Sequence, residues 1–486
     1  MAIALLEEQG KLNIQDPIQT YLPDFPDYAR DVTVANLLFH TSGIRNYTVL
    51  AYYMMGYHPS EPIPASDIYE MLCRLRSLNF PPGNRYEYSD SNYFLLAKIV
   101  ERITGQTLSD FTRESIFEPL NMTSTCFHDQ SGVELFNQAI GYVNYPVAIR
   151  SPYLMDKRTE SPDEFYPLNS RYDHVGAEGL WTSLNDMMKW SRNFFHNCLG
   201  KGRKELIQRF LTPGVSITPE FGYGYGINSG QINGRQFFSH DGAIHGFTSS
   251  MICLPDEELV VICLGNQTLT AAWEIKNRIL EKLAPAGKNR IETAALDHPA
   301  VSIEAVDLQS GRYQDQETAS IWEIVCRDNR MYLLQNKDCE YELHPINSSE
   351  LQTADKTIKL RITAGSGDKA AQPELIINNR TRRIIPFLDP PPGHAELTEY
   401  NGVYSSDQLR CRFRVEREGD HLVIRNCNPR LCSMDLAYYP TTKDNFISYD
   451  PHPVSSQVTF LRNNGCVTAF VYRDYDGDGR EAILFE

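Results

Sequence analysis

The stretch of sequence that decides the fold is Phe237-Phe238-Ser239-His240-Asp241-Gly242-Ala243-Ile244-His245-Gly246-Phe247. Its aromatic start predicts a strand that ends near His240, with a turn at Asp241-Gly242. Thr248–Leu254 and Leu259–Leu264 predict the next two strands of the same sheet. Taken alone, this motif is better explained by a surface hairpin with a stray histidine. Gly242 would let another backbone lie close to the strand edge.

Helical patterns alternate with these strands over the first 285 residues, which predicts an α/β or α+β domain. Ser91–Thr104 carries an apolar face and is followed by Gly105, a residue that ends helices. Leu180–Phe195 predicts another helix, with Ser183 as the N-cap for Asp186. The first nine residues predict an amphipathic helix that stops at Gly10.

The composition changes after residue 285, where short alternating runs are separated by turn residues. This spacing predicts two small antiparallel β-barrels. The expected domains are residues 1–285, 300–388 and 396–486. Gly311-Arg312-Tyr313 and Gly402-Val403-Tyr404 open the two β regions alike, which favours an internal repeat over the alternative of two unrelated segments.

The charge balance limits the partners of this chain. Its 486 residues carry a net charge of −16, which argues against binding nucleic acid or an anionic membrane surface. No apolar run approaches the ~18 residues of a membrane span. The 11 scattered cysteines predict no disulfide framework, so a reducing, cytoplasmic location is expected. We expect no cofactor and no metal site, and the oligomeric state stays open.

Two further segments carry candidate functional residues. Tyr88-Ser89-Asp90 precedes the helix at Ser91. A helix dipole and nearby cations can lower the pKa of a tyrosine at this position, so that it shuttles a proton, although a packing role is the alternative. His40 lies in Leu37-Leu38-Phe39-His40-Thr41-Ser42-Gly43-Ile44 and is expected to be a structural hydrogen-bonding residue rather than a catalyst.

Taken together and in this order, these motifs and Gly176-Ala177-Glu178-Gly179-Leu180-Trp181-Thr182-Ser183 resemble the serine β-lactamase family. The similarity is to its branch of class C β-lactamases, D-alanyl-D-alanine peptidases, D-aminopeptidases and family VIII esterases. It covers residues 1–285, and the two β modules are similar to the barrels of D-aminopeptidase. The resemblance implies a β-lactamase-like fold and a serine hydrolase that forms an acyl-enzyme. A peptide containing a D-amino acid is the first expected substrate and a small ester the second.

The resemblance also implies roles for individual residues. Tyr88 matches the proton-shuttling tyrosine of the family, and Asp90 takes the place of its usual substrate-binding asparagine. His240 takes the place of a lysine, which favours the aminopeptidase and esterase branches. Asp241 and Gly242 belong to the same substrate-binding segment, and the backbone N–H of Ala243 matches one donor to the oxyanion.

The expected nucleophile is missing from this chain. The family uses a serine and a lysine in an S-x-x-K motif at a helix start. The chain contains this pattern once, at Ser366-Gly367-Asp368-Lys369, in a polar loop where we interpret it as a coincidence. The resemblance places the family serine roughly eight residues before Met1. We therefore expect a truncated enzyme, with a non-catalytic binding protein as the alternative, and an inactive chain as written.

Overall fold

A computed structural model of the chain falls into two compact units, one holding the described residues up to Leu283 and the other those from Gly311 onward. The structure describes all residues except 56, 58–61, 129–134, 144–164, 169–172, 219–220, 233, 245, 269, 284–310, 316–320, 328–329, 336–338, 348, 354–357, 364–371, 378–379, 387–395, 428–435, 443, 449–454, 476–482 and 486. The predicted domain boundaries near 285, 300 and 388 lie outside the described residues, so the boundaries stay predictions.

The first unit contains the α-helices of the described residues. They are α1 (Ala2–Glu8), α2 (Val34–Leu38), α3 (Tyr47–Val49), α4 (Ala65–Arg74), α5 (Asp90–Thr104), α6 (Leu108–Thr112), α7 (Leu184–Phe195), α8 (Lys204–Leu211) and α9 (Ala272–Leu283). Two π-helical turns follow α3 and α6 directly, at Leu50–Met55 and Arg113–Phe117. Glycines at positive φ follow α1 and α5, since Gly10 has φ 71° and Gly105 has φ 69°. Both helix ends predicted from these glycines are confirmed.

The strands of the first unit build one main sheet and two small pairs. They are β1 (Cys126–Phe127), β2 (Gly141–Val143), β3 (Tyr166–Leu168), β4 (Leu180–Trp181), β5 (Val215–Ser216), β6 (Phe221–Gly224), β7 (Ile227–Ile232), β8 (Arg235–Ile244), β9 (Phe247–Leu254) and β10 (Leu259–Gly265). The main sheet has the order β10-β9-β8-β7-β6-β5, with antiparallel neighbours. The pairs are β1-β4 and β2-β3.

The predicted end of the strand near His240 is wrong. Strand β8 continues through Asp241 and Gly242 to Ile244, and the chain reverses at Gly246, which has φ 76°. The ladder to β9 is unbroken there because Gly242 lies opposite Ser249. A Cβ atom on Gly242 would lie 2.5 Å from the Ser249 hydroxyl, so the glycine serves close packing inside the strand rather than a turn.

The predicted helix at Leu180–Phe195 begins later than expected. Leu180 and Trp181 form β4, and the helix starts at Leu184. Ser183 has extended backbone angles, and its hydroxyl accepts a hydrogen bond from the N–H of Asp186 at 3.3 Å. The predicted N-cap is therefore confirmed, and its extended conformation explains why the residues before it join a sheet.

The two faces of the main sheet are covered by different helices. Phe238 and Met251 face the core formed with α1, α7 and α8. Phe237 and Ile252 pack with residues of α9 on the other face. Because side chains alternate along a strand, His240 shares the face of Phe238 and Asp241 shares the opposite face.

The second unit consists of two antiparallel β modules of eight strands each. The first is a closed barrel of β11 (Gly311–Asp315), β12 (Ile321–Arg327), β13 (Arg330–Gln335), β14 (Cys339–Asn347), β15 (Glu350–Gln352), β16 (Ile358–Thr363), β17 (Gln372–Ile377) and β18 (Arg380–Pro386). The second is a curled sheet of β19 (Gly402–Ser406), β20 (Cys411–Glu418), β21 (His421–Asn426), β22 (Leu436–Thr442), β23 (Asn445–Ser448), β24 (Ser455–Asn463), β25 (Cys466–Tyr475) and β26 (Ile483–Phe485). The predicted architecture, an α/β domain followed by antiparallel β modules, is confirmed; the first expected barrel is closed, and the described strands of the second form an eight-stranded sheet.

The repeated Gly-x-Tyr motif opens each β module. Gly311 starts β11 and Gly402 starts β19. In both cases a Cβ on the glycine would touch the ring of the tyrosine two residues later, at 3.8 Å for Tyr313 and 3.1 Å for Tyr404. Both tyrosines are buried. Gly402 therefore makes room for the core tyrosine of the second module, whereas a side chain at Gly311 would make only an ordinary contact with Tyr313.

Candidate active site

The structure brings Tyr88 and His240 together although 151 residues separate them in the sequence. Tyr88 stands just before α5, and its ring centroid lies 6.4 Å from that of His240 on β8. Tyr88 is 40% exposed. The two side chains meet where the helical part of the unit faces its main sheet, as the motif order predicted.

The pKa of Tyr88 is raised, not lowered as expected from its position before a helix. Desolvation by the surrounding rings is the main cause, and the negative charges of Asp90 and Glu178 add to it. Burial and nearby carboxylates therefore set the direction of the Tyr88 pKa. In this environment Tyr88 is a neutral phenol that can donate a proton.

Asp90, at the first position of α5, is held by two side chains: Asn46, just before α3, and Thr48, within α3. Its Oδ2 accepts hydrogen bonds from the Asn46 amide at 3.0 Å and from the Thr48 hydroxyl at 3.1 Å. A carboxylate at a helix N-terminus is also stabilised by the helix dipole. Asp90 is thus fixed as an anionic neighbour of Tyr88.

Two buried residues that the sequence interpretation missed, Tyr47 and His174, connect this segment to a second carboxylate, the partly buried Glu178. The Tyr47 hydroxyl donates to Glu178 Oε1 at 2.8 Å, and His174 Nε2 lies 2.8 Å from the same oxygen. His174 Nδ1 lies 2.9 Å from the carbonyl of Ile63 and must donate to it. Tyr47, His174 and Glu178 therefore form one hydrogen-bonded cluster. Nothing local in the sequence indicates this cluster, because Tyr47 and Glu178 are 131 residues apart.

His240 is a neutral imidazole with a defined tautomer. Its Nδ1 lies 2.7 Å from the carbonyl of Asp241, which can only accept, so Nδ1 carries the proton. Its Nε2 lies 3.2 Å from the Tyr223 hydroxyl and accepts from it. Burial lowers the pKa of His240 below its ordinary value. Tyr223, on β6, was not predicted from the sequence.

The structure does not bring the Asp241 carboxylate to Tyr88 and His240. Its Oδ1 accepts hydrogen bonds from Ser250 and, at 3.0 Å, from Lys276 of α9. Lys276 is buried, and its ammonium approaches the face of the sheet opposite His240. Asp241 therefore ties β8 to α9.

Gly242 and Ala243 lie on a part of β8 that extends beyond its partner on one side. The described pairing with β7 stops at Ser239, opposite Asn228. The pairing with β9 continues to Ile244. Within the described pairs, residues 240–244 thus leave one strand edge toward β7 open, next to His240. An extended peptide can add to such an edge through backbone hydrogen bonds.

Other kinds of site find no support in the described part of the chain. No group of three or more histidine, cysteine or acidic side chains is arranged there to hold a metal ion. Among the same residues, no helix is long and apolar enough to cross a membrane. The S-x-x-K match at 366–369 lies outside the described residues.

A sequence model described as Beta-lactamase matches residues 1–284. The chain belongs to this family. Penicillin-binding protein 4* of Bacillus subtilis is 25% identical over 386 residues, which are 76% of this chain and 81% of that protein. The D-aminopeptidase of Brucella anthropi is 28% identical over 268 residues, which are 54% of this chain and 46% of that enzyme. The chain thus matches less than half the length of this D-aminopeptidase.

The fold is also found among solved structures. The octameric penicillin-binding protein homologue from Pyrococcus abyssi superimposes with a TM-score of 0.50 at 20% sequence identity. The match covers 79% of this chain and 85% of that one. At this identity the likeness concerns the fold.

Proposed function

We propose that the cleft between Tyr88 and His240 binds an amide or peptide of a D-amino acid. We further propose that it supplies the proton-transfer and carbonyl-binding parts of a serine acyl-transfer site. The observation that carries the proposal is the convergence of these two rings, 6.4 Å apart, beside an open edge of β8. The D-aminopeptidase name of several relatives supports an amide of a D-amino acid as the first substrate, with a small ester second.

The geometry supports a separate role in binding or proton transfer for each of the predicted residues. A substrate backbone that adds to the open edge of β8 would place its carbonyl near the N–H of Ala243, our proposed oxyanion donor. In acyl transfer, the serine O–H bond breaks and its proton passes to an acceptor while the serine oxygen bonds to the carbonyl carbon; the C–N bond then breaks and the leaving amine takes a proton. Tyr88, which its surroundings keep as a neutral phenol, would pass its proton to the leaving nitrogen while it takes up the proton that the serine releases, so that it stays neutral. Neutral His240 would hold the substrate by its Nε2, in place of the Tyr223 hydroxyl.

The acylated serine is the part that these 486 residues do not supply in the family's pattern. The chain has a single S-x-x-K sequence, within its β region. This observation favours a second candidate function, in which the cleft binds the same ligands without hydrolysing them. A cytoplasmic location remains a proposal from the cysteine pattern.

The test of ligand class compares the two enantiomers of phenylalanine amide by isothermal titration calorimetry. The proposal predicts binding of the D-enantiomer and at least fivefold weaker binding to Tyr88→Phe or His240→Gln, the loss expected for one hydrogen bond. His421→Gln, a matched histidine variant on β21, should bind as the parent does. Equal binding of both enantiomers, or unchanged affinity in both site variants, would contradict the proposal.

A second measurement separates catalysis from binding. The chain is incubated with a fluorophosphonate and its mass is measured, with the modified residue located by peptide sequencing. We expect no adduct on any serine, since Tyr88 lacks a serine–lysine pair to serve. A stoichiometric adduct on Ser366 would overturn our interpretation of that motif as a coincidence.

A further inference from the structure

His40 occupies an unusual position for a histidine. It is fully buried, at 0% exposure, and has φ 53°, a left-handed conformation that is uncommon for residues other than glycine. Its carbonyl accepts the N–H of Glu87 at 2.8 Å. The loop that follows His40 also accepts hydrogen bonds from Asn79 and Gly83. This loop therefore runs beside the segment that leads to Tyr88 and holds it.

The imidazole of His40 binds the backbone inside the Tyr88-Ser89-Asp90 motif. Its Nδ1 accepts the N–H of Ser89 at 3.1 Å and lies 3.0 Å from the amide nitrogen of Asn92. The Asn92 oxygen is occupied by the Ser42 hydroxyl at 2.5 Å, so the Asn92 NH2 group faces His40. With two donors aimed at Nδ1, the proton of the neutral ring must be on Nε2.

The same ring also supports the face of Tyr88. The centroids of His40 and Tyr88 are 4.1 Å apart with an interplanar angle of 31°. Tyr93 stacks near the ring as well, at 5.1 Å and 30°. Tyr223, the partner of His240, stands edge-on to His40 at 4.9 Å. His40 thus contacts Tyr88 itself and also Tyr223, the hydrogen-bond partner of His240.

We propose that His40 is a positioning residue that fixes the orientation of Tyr88 toward His240, by accepting the Ser89 N–H and by stacking on the Tyr88 ring. The two contacts act at different points. The hydrogen bond holds the backbone between Tyr88 and Asp90, and the ring contact restricts the Tyr88 side chain. The consequence for ligand binding rests on the proposed function, but the orientation of Tyr88 does not.

Two substitutions separate the two contacts. His40→Asn retains an acceptor near the Nδ1 position and tolerates positive φ, but removes the ring. His40→Phe retains a ring and removes the acceptor. Leu206→Ala, at a buried position of α8, is a control that destabilises the same unit without altering the His40 loop. The first readout is the rate at which tetranitromethane nitrates Tyr88. Peptide mass spectrometry measures this rate, with Tyr439 on β22 as the internal reference.

We expect both His40 variants to nitrate Tyr88 about fivefold faster, through one lost hydrogen bond in His40→Phe and one lost ring contact in His40→Asn. Tyr439 should react at its parental rate, and Leu206→Ala should leave Tyr88 unchanged. A parental Tyr88 rate in His40→Asn, or an equal rise in Leu206→Ala, would overturn the proposal. If both His40 variants unfold, Ser42→Ala, which removes the hydroxyl that holds Asn92 Oδ1 and accepts the Ile44 N–H, must still accelerate Tyr88.

Calorimetry with D-phenylalanine amide then separates this proposal from the proposed function. If the parent binds the amide, the variants with faster Tyr88 nitration should bind it about fivefold less tightly. Parental affinity in those variants would overturn the link between Tyr88 orientation and binding. If the parent does not bind the amide, the proposed function fails, and the nitration result alone decides the role of His40.

Discussion

Acid should destabilise the first unit through His40, and the size of this effect follows from the structure. Burial, with a smaller contribution from nearby His240, lowers the pKa of His40 to about 3. In the unfolded chain a histidine titrates near pH 6.5. The unfolded state therefore binds the proton more readily, so stability is full above pH 6.5 and declines as the pH falls toward 3. Each pH unit in this window is worth about 1.4 kcal/mol, or about 2 kcal/mol at pH 5.

The assay is urea unfolding followed by circular dichroism at 222 nm, because the α-helices of the described residues all belong to the first unit. His40→Asn cannot titrate, so its free energy of unfolding lacks this contribution. The difference between the parent and His40→Asn should shrink by about 2 kcal/mol between pH 7 and pH 5. His240 and the buried amino group of Met1, whose pKa burial lowers to about 5, act in the same direction. Both proteins contain them, so they cancel. A difference that stays constant over this range would refute the reasoning.

Two further predictions concern strand β8. Replacing Asp241 by alanine leaves the buried Lys276 ammonium without this carboxylate and should lower the free energy of unfolding by about 1–3 kcal/mol, less than for a fully buried pair because Asp241 is half exposed. Urea unfolding measures this loss. Lys276→Met should lower the free energy of unfolding by less than Asp241→Ala, and a larger loss in Lys276→Met would contradict the prediction. Gly242→Ala should cost about 1–3 kcal/mol because its Cβ meets the Ser249 hydroxyl, and adding Ser249→Ala should restore most of the loss in the same assay. If the double variant is as unstable as Gly242→Ala alone, the loss does not come from the contact with the Ser249 hydroxyl.

Features set by short-range contacts were predictable from the sequence. Gly105 ends α5 because the left-handed conformation there suits a residue without a side chain. Ser183 caps α7 because its hydroxyl reaches the N–H three residues later. The meeting of Tyr88 and His240 was predicted only through the order of family motifs, since nothing near either residue in the sequence points to the other.

Features set by contacts between distant segments were not predictable. Asp241-Gly242 has the composition of a turn, but pairing with β9 and the ion pair with Lys276 keep it inside a strand. Glu178 lies in the motif at residues 176–183, but nothing local assigns a role to its carboxylate, and Tyr223 reaches the site from a segment with no recognisable local signal. The direction of the Tyr88 pKa was missed for the same reason, because it depends on the burial and charges that these segments create.

The most direct test of the central claim observes the His240 ring while a ligand binds. Nitrogen-15 labelled histidine gives an NMR signal for each ring nitrogen, and His240→Gln identifies the pair from His240. Without ligand, the signals should show a proton on Nδ1 and a hydrogen-bonded Nε2. Saturating D-phenylalanine amide should shift the Nε2 signal of His240, and L-phenylalanine amide at the same concentration should not. An unchanged His240 signal at saturation with the D-amide would show that the ligand binds elsewhere and would contradict the assignment of this cleft.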